Sequence, residues 1–417
     1  MKFIKILNLK KTDSFTVAET MLDFYLNKKY SLFNSYPKYL LKINIFIDFL
    51  KRIKIKFKNP PKKNFLIFDC ENDFYLKQLM PRDEFGVMST RISKIYTVYI
   101  SVKLLFYITI NFLKRSVKQN YIAGLIKIIS PKIVVTHIDL SSDFHSISKA
   151  LLDTNIRFIT VSVSHLTAAT IINNKKFLEN SYIPEFLCFS DYDKKLLQKF
   201  NVKKFTAVGS LKPTLAKEFI IKNKIKINPE KYDICLVGEP EAEEGDFLNF
   251  NEVITAPGYI AEYTHRLCNE YNLNLIFSAK FKPGSGLSSD LEKYYYDNFL
   301  QKYNYRLVKE HKNYGTYINI MQSKLIIGHA STTLRESFTY KKKILAWNYT
   351  NSPDVCMPTK GISEIGKCSY KEFKDRVLEI LNMSYQDYIG ALKEDPEYSM
   401  VTKIDTIQYF KQLFKTH

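Results

Sequence analysis

From residue 64 onward, short apolar runs bounded by turn residues alternate with stretches of helical periodicity, the signature of βαβ units and parallel sheets. One series of predicted strands covers residues 65–68, 132–136, 157–163, 186–189 and 205–208. A charged stretch over 217–231 precedes a second series at 234–237, 273–278, 305–308, 325–328 and 344–347. Helical patterns fall between them at 143–153, 191–200, 252–271, 291–303, 314–323, 332–340 and 371–381. Two such series predict an α/β chain of two Rossmann-like domains facing each other across a cleft, with a linker near 212–231. The domains are expected over 64–215 and 216–417, after a basic, mainly helical extension over 1–63 that closes with the rigid Pro60-Pro61 pair.

One segment interrupts the pattern. Ile95 to Leu113 (IYTVYISVKLLFYITINFL) contains a single charge, Lys103. It approaches the roughly 20 residues that span a bilayer. Its β-branched and polar residues (Thr97, Ser101, Thr109, Asn111) and the lack of a second such segment predict a buried or surface-lying helix instead.

Composition excludes several classes. At 46% hydrophobic and 25% charged residues the chain is an ordinary globular protein, neither disordered nor low-complexity. Its six cysteines (70, 188, 235, 268, 356, 368) form no C-x-x-C pair, which supports neither a disulfide framework nor a cysteine zinc site and fits a reducing cytoplasm. The start, MKFIKILNLKKTDSF, lacks the apolar core and cleavage site of a secretory signal, which also predicts a cytoplasmic protein. The net charge of +20 is uneven: residues 1–130 carry 24 Lys/Arg against 9 Asp/Glu. Such a basic, aromatic-rich third suits anionic lipid, an anionic substrate or nucleic acid, although a chain rich in Lys, Asn, Ile, Tyr and Phe acquires charge without function. No RNP motif, GXXG loop or zinc finger accompanies it, so nucleic acid is not an expected partner.

Chemistry is expected on the strand-exit loops. Gly328-His-Ala-Ser331-Thr332-Thr333-Leu-Arg-Glu336 leaves a strand and opens a helix, where unpaired N–H groups and hydroxyl donors suit a phosphate, and Glu336 suits ribose hydroxyls. Thr333 and Glu336 also have the spacing of a capping box, which needs no ligand. Lys280 and Lys282 leave a strand into Pro283-Gly284, either as anion ligands or as solvated turn lysines. Gly238 follows the first strand of the second domain and would admit close approach of a ligand to the backbone, but G-x-G-x-x-G is missing, which argues against a nicotinamide dinucleotide. In the first domain, His137, Asp139, Asp143 and His165 stand at strand exits where a general base belongs; helix capping by Asp143 and a structural role for His165 are the alternatives. Phe68-Asp-Cys-Glu-Asn-Asp73 is a similar acidic exit. Asp191-Tyr-Asp193 matches the D-x-D pattern of some metal-using sugar transferases but reads better as a helix cap, so no metal site is expected.

The order of Pro131-Lys-Ile-Val-Val-Thr-His-Ile-Asp139, Phe186-Leu-Cys-Phe-Ser-Asp-Tyr-Asp193, Val208-Gly-Ser-Leu-Lys212 and Gly328–Glu336 resembles bacterial surface-polysaccharide (O-antigen or capsule) biosynthesis proteins of the GT-B glycosyltransferase type over roughly 130–350. The Ser331-Thr332 pair is similar to the nucleotide-binding motif of sialyl- and Kdo-transferases that use CMP-activated sugars. Lys282-Pro283 replaces their His-Pro, and no Gln-Asn-Gly turn follows Val163-Ser-His165. The resemblance implies a metal-independent transferase with a nucleotide-sugar as substrate and no cofactor. It implies a donor (UDP-sugar or CMP-ulosonate) on the second domain and a lipid-linked or surface glycan acceptor on the first. It also implies peripheral contact of the basic third with the anionic inner membrane face. A sugar-nucleotide epimerase of the same layout and a non-catalytic basic binding protein are the alternatives.

Overall fold

The computed structural model describes residue 51 and residues 53–415, except 70–72, 91–94, 165–170, 172–173, 240–249, 286, 312, 330, 350 and 352–355. The described chain forms two compact units, one reaching Lys212 and resuming at Lys403, the other covering Pro213–Thr402.

The first unit contains β1 (Lys54–Lys56), β2 (Phe65–Phe68), β3 (Phe85–Met88), β4 (Thr97–Tyr99), β5 (Ile133–Thr136), β6 (Arg157–Val161), β7 (Ile183–Cys188) and β8 (Val202–Ala207). Six of these make a parallel sheet in the order β3-β2-β5-β6-β7-β8, while β1 and β4 pair separately. Side chains alternate across a strand, so Leu66 and Phe68 face one layer and Phe65 and Ile67 the other. On the first face Phe144 packs edge-on against Phe68 (5.3 Å) and Phe158 (5.7 Å), with Ile122 and Ile126 of the helix Val117–Ile129 in the same core. On the second face Phe65 meets Phe414 at 5.4 Å. The helix Thr406–Leu413 thus closes the first unit, and its Thr406 Oγ1 donates to Val208 O (2.6 Å). Sequence order alone had assigned this helix to the second domain.

The second unit contains β9 (Tyr232–Val237), β10 (Leu275–Ser278), β11 (Leu307–Val308), β12 (Ser323–Gly328), β13 (Lys343–Asn348) and β14 (Glu364–Gly366). All pair in parallel, in the order β11-β10-β9-β12-β13-β14. This is the doubly wound order, which grows outward from β9 in one direction and then from β12 in the other. The first unit reverses in the same way between β2 and β5. At each reversal the connections leave toward opposite faces and open a crevice beyond the carboxyl ends of the strands.

The segment 95–113 is not one helix. Thr97–Tyr99 forms β4, and the Ser101 hydroxyl then accepts from Leu104 N and starts a short helix over Val102–Ile110. Leu104 and Tyr107 of that helix lie against Gly124, where an added Cβ would sit 2.7 and 2.9 Å from them. No described helix is long and apolar enough to cross a membrane. Of the expected N-terminal extension, Lys54–Lys56 is a strand and residues 1–50 lie outside the described part. The strands β3, β4 and β14, absent from the sequence expectation, are three or four residues long and largely half-exposed, so they carry little apolar signal.

Lys343, at the start of β13, ties the sheet of the second unit to a covering helix. Its Nζ donates to the carbonyls of Ile380 (2.6 Å), Leu381 (3.1 Å) and Met383 (2.8 Å), at the end of the helix Tyr370–Asn382. A cation there satisfies orphan carbonyls and opposes the helix dipole. Lys343→Met should therefore lower unfolding free energy by about 1–3 kcal/mol in urea titrations.

Candidate functional site

The reversal in the second unit sets three strand exits side by side, those of β10, β9 and β12. Gly238, at the β9 exit, donates its N–H to Ser278 O (2.7 Å) and so ties two of them together. A Cβ on Gly238 would lie 2.7 Å from Glu292 Oε1 and 3.0 Å from Ser278 O. The glycine therefore makes room for the protein's own carboxylate and backbone, not for a ligand as the turn composition predicts.

Glu292 organises the β10 exit. Its buried carboxylate accepts from Lys280 N (2.7 Å) and Phe281 N (2.8 Å). Burial raises its pKa, against the lowering effect of those two N–H groups and of the nearby Lys309 and Lys280 charges. From the exit of β11, Lys309 Nζ donates to Lys280 O (2.5 Å), and burial lowers its pKa. The turn is thus gripped on its amide and carbonyl sides while the Lys280 and Lys282 side chains stay exposed. Two cations on a turn fixed in this way suit a phosphate.

At the β12 exit, His329 Nδ1 lies 2.8 Å from Trp347 O, and since a carbonyl only accepts, Nδ1 carries the hydrogen. Nε2 is then an acceptor, buried and with no partner among the described residues. Burial lowers the pKa and keeps the ring neutral. Ser331 is the helix cap, its hydroxyl accepting from Thr333 N (3.3 Å). The Thr333–Glu336 capping box therefore does not form. Glu336 points inward, buried, and accepts from Tyr317 OH (2.8 Å). Thr332 and Thr333 are half-buried. A Cβ on Gly328 would meet only ordinary contacts with Leu334 near 3.5 Å, so that glycine is not demanded by space within the protein.

In the first unit Asp139 is buried and engaged. Its Oδ1 accepts from Val163 N (3.0 Å), and its Oδ2 accepts from Ser164 N (3.2 Å) and Ser164 Oγ (2.8 Å). Burial pushes its carboxyl up to about 6, against hydrogen bonds from Ser164, Val163 and Ser162. Lys212 Nζ holds the same loop by donating to Val163 O (2.9 Å). Asp139 thus positions the loop that enters residue 165, while His165 itself lies outside the described residues. His137 is buried with Nε2 3.2 Å from Ser162 O. Asp143 is not the helix cap, which is Ser141; it pairs with Lys118 at 2.7 Å. Asp69, at the β2 exit, has a positive φ of 64° and accepts from Thr90 Oγ1 (2.9 Å). In the D-x-D segment Asp193 accepts from Ser190 N (3.1 Å) in a capping box. No group of three or more His, Cys, Asp or Glu suited to a metal occurs among the described residues.

The second unit therefore collects Gly238, Lys280, Lys282, Gly328, Ser331, Thr332, Thr333 and Glu336 on three adjacent exits. Sequence reasoning missed Glu292, Lys309, His329 and Tyr317. A signal for Glu292 existed: positions 292, 295, 296, 299 and 300 follow the i, i+3, i+4 rhythm of a buried helix face, which places a carboxylate among Tyr295, Tyr296, Phe299 and Leu300.

No family model and no curated protein matches the sequence. Among solved structures the chain is similar to UDP-GlcNAc 2-epimerase from Neisseria meningitidis bound to UDP-GlcNAc, at 12% identity and a TM-score of 0.50, over 84% of this chain and 99% of that one. It is also similar to the wall teichoic acid polymerase TagF, at 10% identity and a TM-score of 0.50, over 85% of this chain and 89% of that one. At these identities the likeness is one of fold: the protein has the two Rossmann-like domains of the GT-B class.

Two outcomes follow from this geometry. Glu292→Gln replaces one accepting oxygen by a donor facing backbone N–H groups, so unfolding free energy should drop by about 1–3 kcal/mol and the Lys280 and Phe281 amides should exchange faster. For Asp139 the native pKa lies above the unfolded value of 3.8, so between about 4 and 6 the folded state holds a proton that the unfolded state lacks. Asp139 should therefore make stability fall as pH rises through that window, and Asp139→Asn should remove this slope in denaturant titrations.

Proposed function

We propose that the protein is a glycosyltransferase that moves a sugar from a nucleotide-sugar donor to a lipid-linked or surface glycan acceptor at the inner membrane face. The observation that carries this reading is the convergence of two exposed lysines, a hydroxyl-rich helix start and a buried glutamate on the exits of β10, β9 and β12, at the reversal of strand order. In open α/β sheets that is where nucleotides bind.

In this account the donor phosphates rest against Lys280 and Lys282 and the hydroxyls of Ser331, Thr332 and Thr333. Glu336 accepts from the ribose hydroxyls in competition with Tyr317. The acceptor hydroxyl attacks the anomeric carbon, the bond from that carbon to the phosphate oxygen breaks, and the nucleotide leaves with the electron pair. The two ammonium groups, carried on a turn whose backbone Glu292 and Lys309 hold, offset the developing phosphate charge, which is the electrostatic role a metal plays in D-x-D enzymes. The hydroxyl proton passes to a first-unit base. Asp139, Asp143 and His165 are the candidates for that role, of which Asp139 holds its own loop and Asp143 pairs with Lys118. The polysaccharide (O-antigen or capsule) product class is part of the proposal and rests on the sequence resemblance.

A second reading, a sugar-nucleotide epimerase that releases and re-adds the nucleotide, draws support from the likeness to the structure bound to UDP-GlcNAc. It predicts donor turnover with no acceptor present, whereas the transferase requires one.

Calorimetry and thermal shift with UDP, CMP, GDP and CDP, with and without magnesium, test the donor site. One nucleotide should stabilise the protein regardless of metal, and Ser331→Ala with Thr332→Ala, or Glu336→Ala, should weaken its binding by about tenfold or more. Unchanged affinity in these folded variants contradicts the site assignment.

A further inference from the structure

The short helix Val102–Ile110 buries one side chain, Leu104, and turns most of its apolar surface outward. Val102 (84% exposed), Leu105, Phe106 (67%) and Ile110 face solvent, and Phe112 and Leu113 (95%) extend the face through the following turn. Within the helix the spacing 102, 105, 106, 110 is the i, i+3, i+4 rhythm of a helix stripe, which in a soluble protein normally faces the core. Scattered exposed apolar residues need no explanation, but four on one helix stripe, with two more in the adjoining turn, mark an interaction surface.

Charge identifies the partner. Exposed Lys103 and Lys114 flank the stripe, and the sequence holds no carboxylate between Glu84 and Asp139. A second copy of the chain would bring the same cations against themselves. The first 50 residues, with eight lysines against four carboxylates, are of the same sign. The complementary occupant is a surface that is apolar inside and anionic at its rim, namely a bilayer containing anionic lipid.

We propose that the helix Val102–Ile110 and the turn to Lys114 form a monotopic membrane-docking face, with Phe106, Ile110, Phe112 and Leu113 entering the acyl boundary and Lys103 and Lys114 at headgroup level. The helix is too short to span and lies in the interface plane. This deepens the membrane contact of the proposed function by naming the element that makes it. It rests on the surface alone, so its failure leaves the donor reading standing, and a nucleotide that fails to bind leaves this face untouched.

The test is flotation of the full-length protein, without nucleotide, on vesicles of phosphatidylcholine alone or mixed with phosphatidylglycerol. The wild type should float with the mixed vesicles. Phe106→Ser with Leu113→Ser should reduce partitioning by about tenfold or more, since two exposed apolar side chains no longer leave water. Lys103→Gln with Lys114→Gln should abolish the preference for phosphatidylglycerol. Both variants should melt at the wild-type temperature, because neither pair of side chains is buried. Absence of wild-type flotation, or flotation unchanged in the Phe106/Leu113 variant, overturns the proposal. So does a wild-type dimer in light scattering that this variant converts to monomer, which would make the face a contact between copies.

Discussion

In a parallel sheet covered by helices on both faces, the strand interiors are mostly apolar, so ligand-facing chemistry collects at the strand ends. Where the strand order reverses, the two neighbouring connections depart toward opposite faces and neither fills the space between them. In the second unit that reversal lies between β9 and β12, and in the first between β2 and β5. The exits that carry Lys280, Lys282 and Ser331–Thr333, and the loop held by Asp139, lie beside those two reversals.

Both crevices use buried carboxylates to hold backbone. Glu292 accepts two consecutive N–H groups of the turn that presents Lys280 and Lys282, and Asp139 accepts two consecutive N–H groups of the loop entering residue 165. A carboxylate is costly to bury and remains so only when donors meet it. Each turn thereby gains a shape fixed by the protein's own groups. Asp139 and Glu292 thus hold backbone, whereas the Lys280 and Lys282 side chains are exposed.

Most of the architecture was legible in the sequence because buried stretches such as Ile133–Thr136 and residues 325–328 leave continuous apolar runs. The strand-exit rule pointed to the loops beside the reversals of strand order without any knowledge of side-chain direction. Individual roles were less legible. Thr333 and Glu336 have capping-box spacing, yet Glu336 is held by Tyr317, 19 residues earlier, and Ser331 is the cap. Gly238 looks like a ligand-facing glycine until Glu292 appears beside it. The segment 95–113 shows one apolar pattern, but Ser101 stops the strand and starts the helix within it. In each case the deciding contact is long-range or a local cap, and neither is carried by hydropathy. The closing helix Thr406–Leu413 escaped for the same reason: the rings of Phe65 and Phe414 meet across nearly the whole chain length.

The most direct test of the account is hydrogen–deuterium exchange of the full-length protein with and without the nucleotide that stabilises it. The account predicts slower exchange in residues 278–284 and 328–337 of the second unit, with the loop at 162–164 unaffected by nucleotide alone. Protection confined to the first unit's exits at 69–73 and 137–143, or to neither crevice, would contradict it.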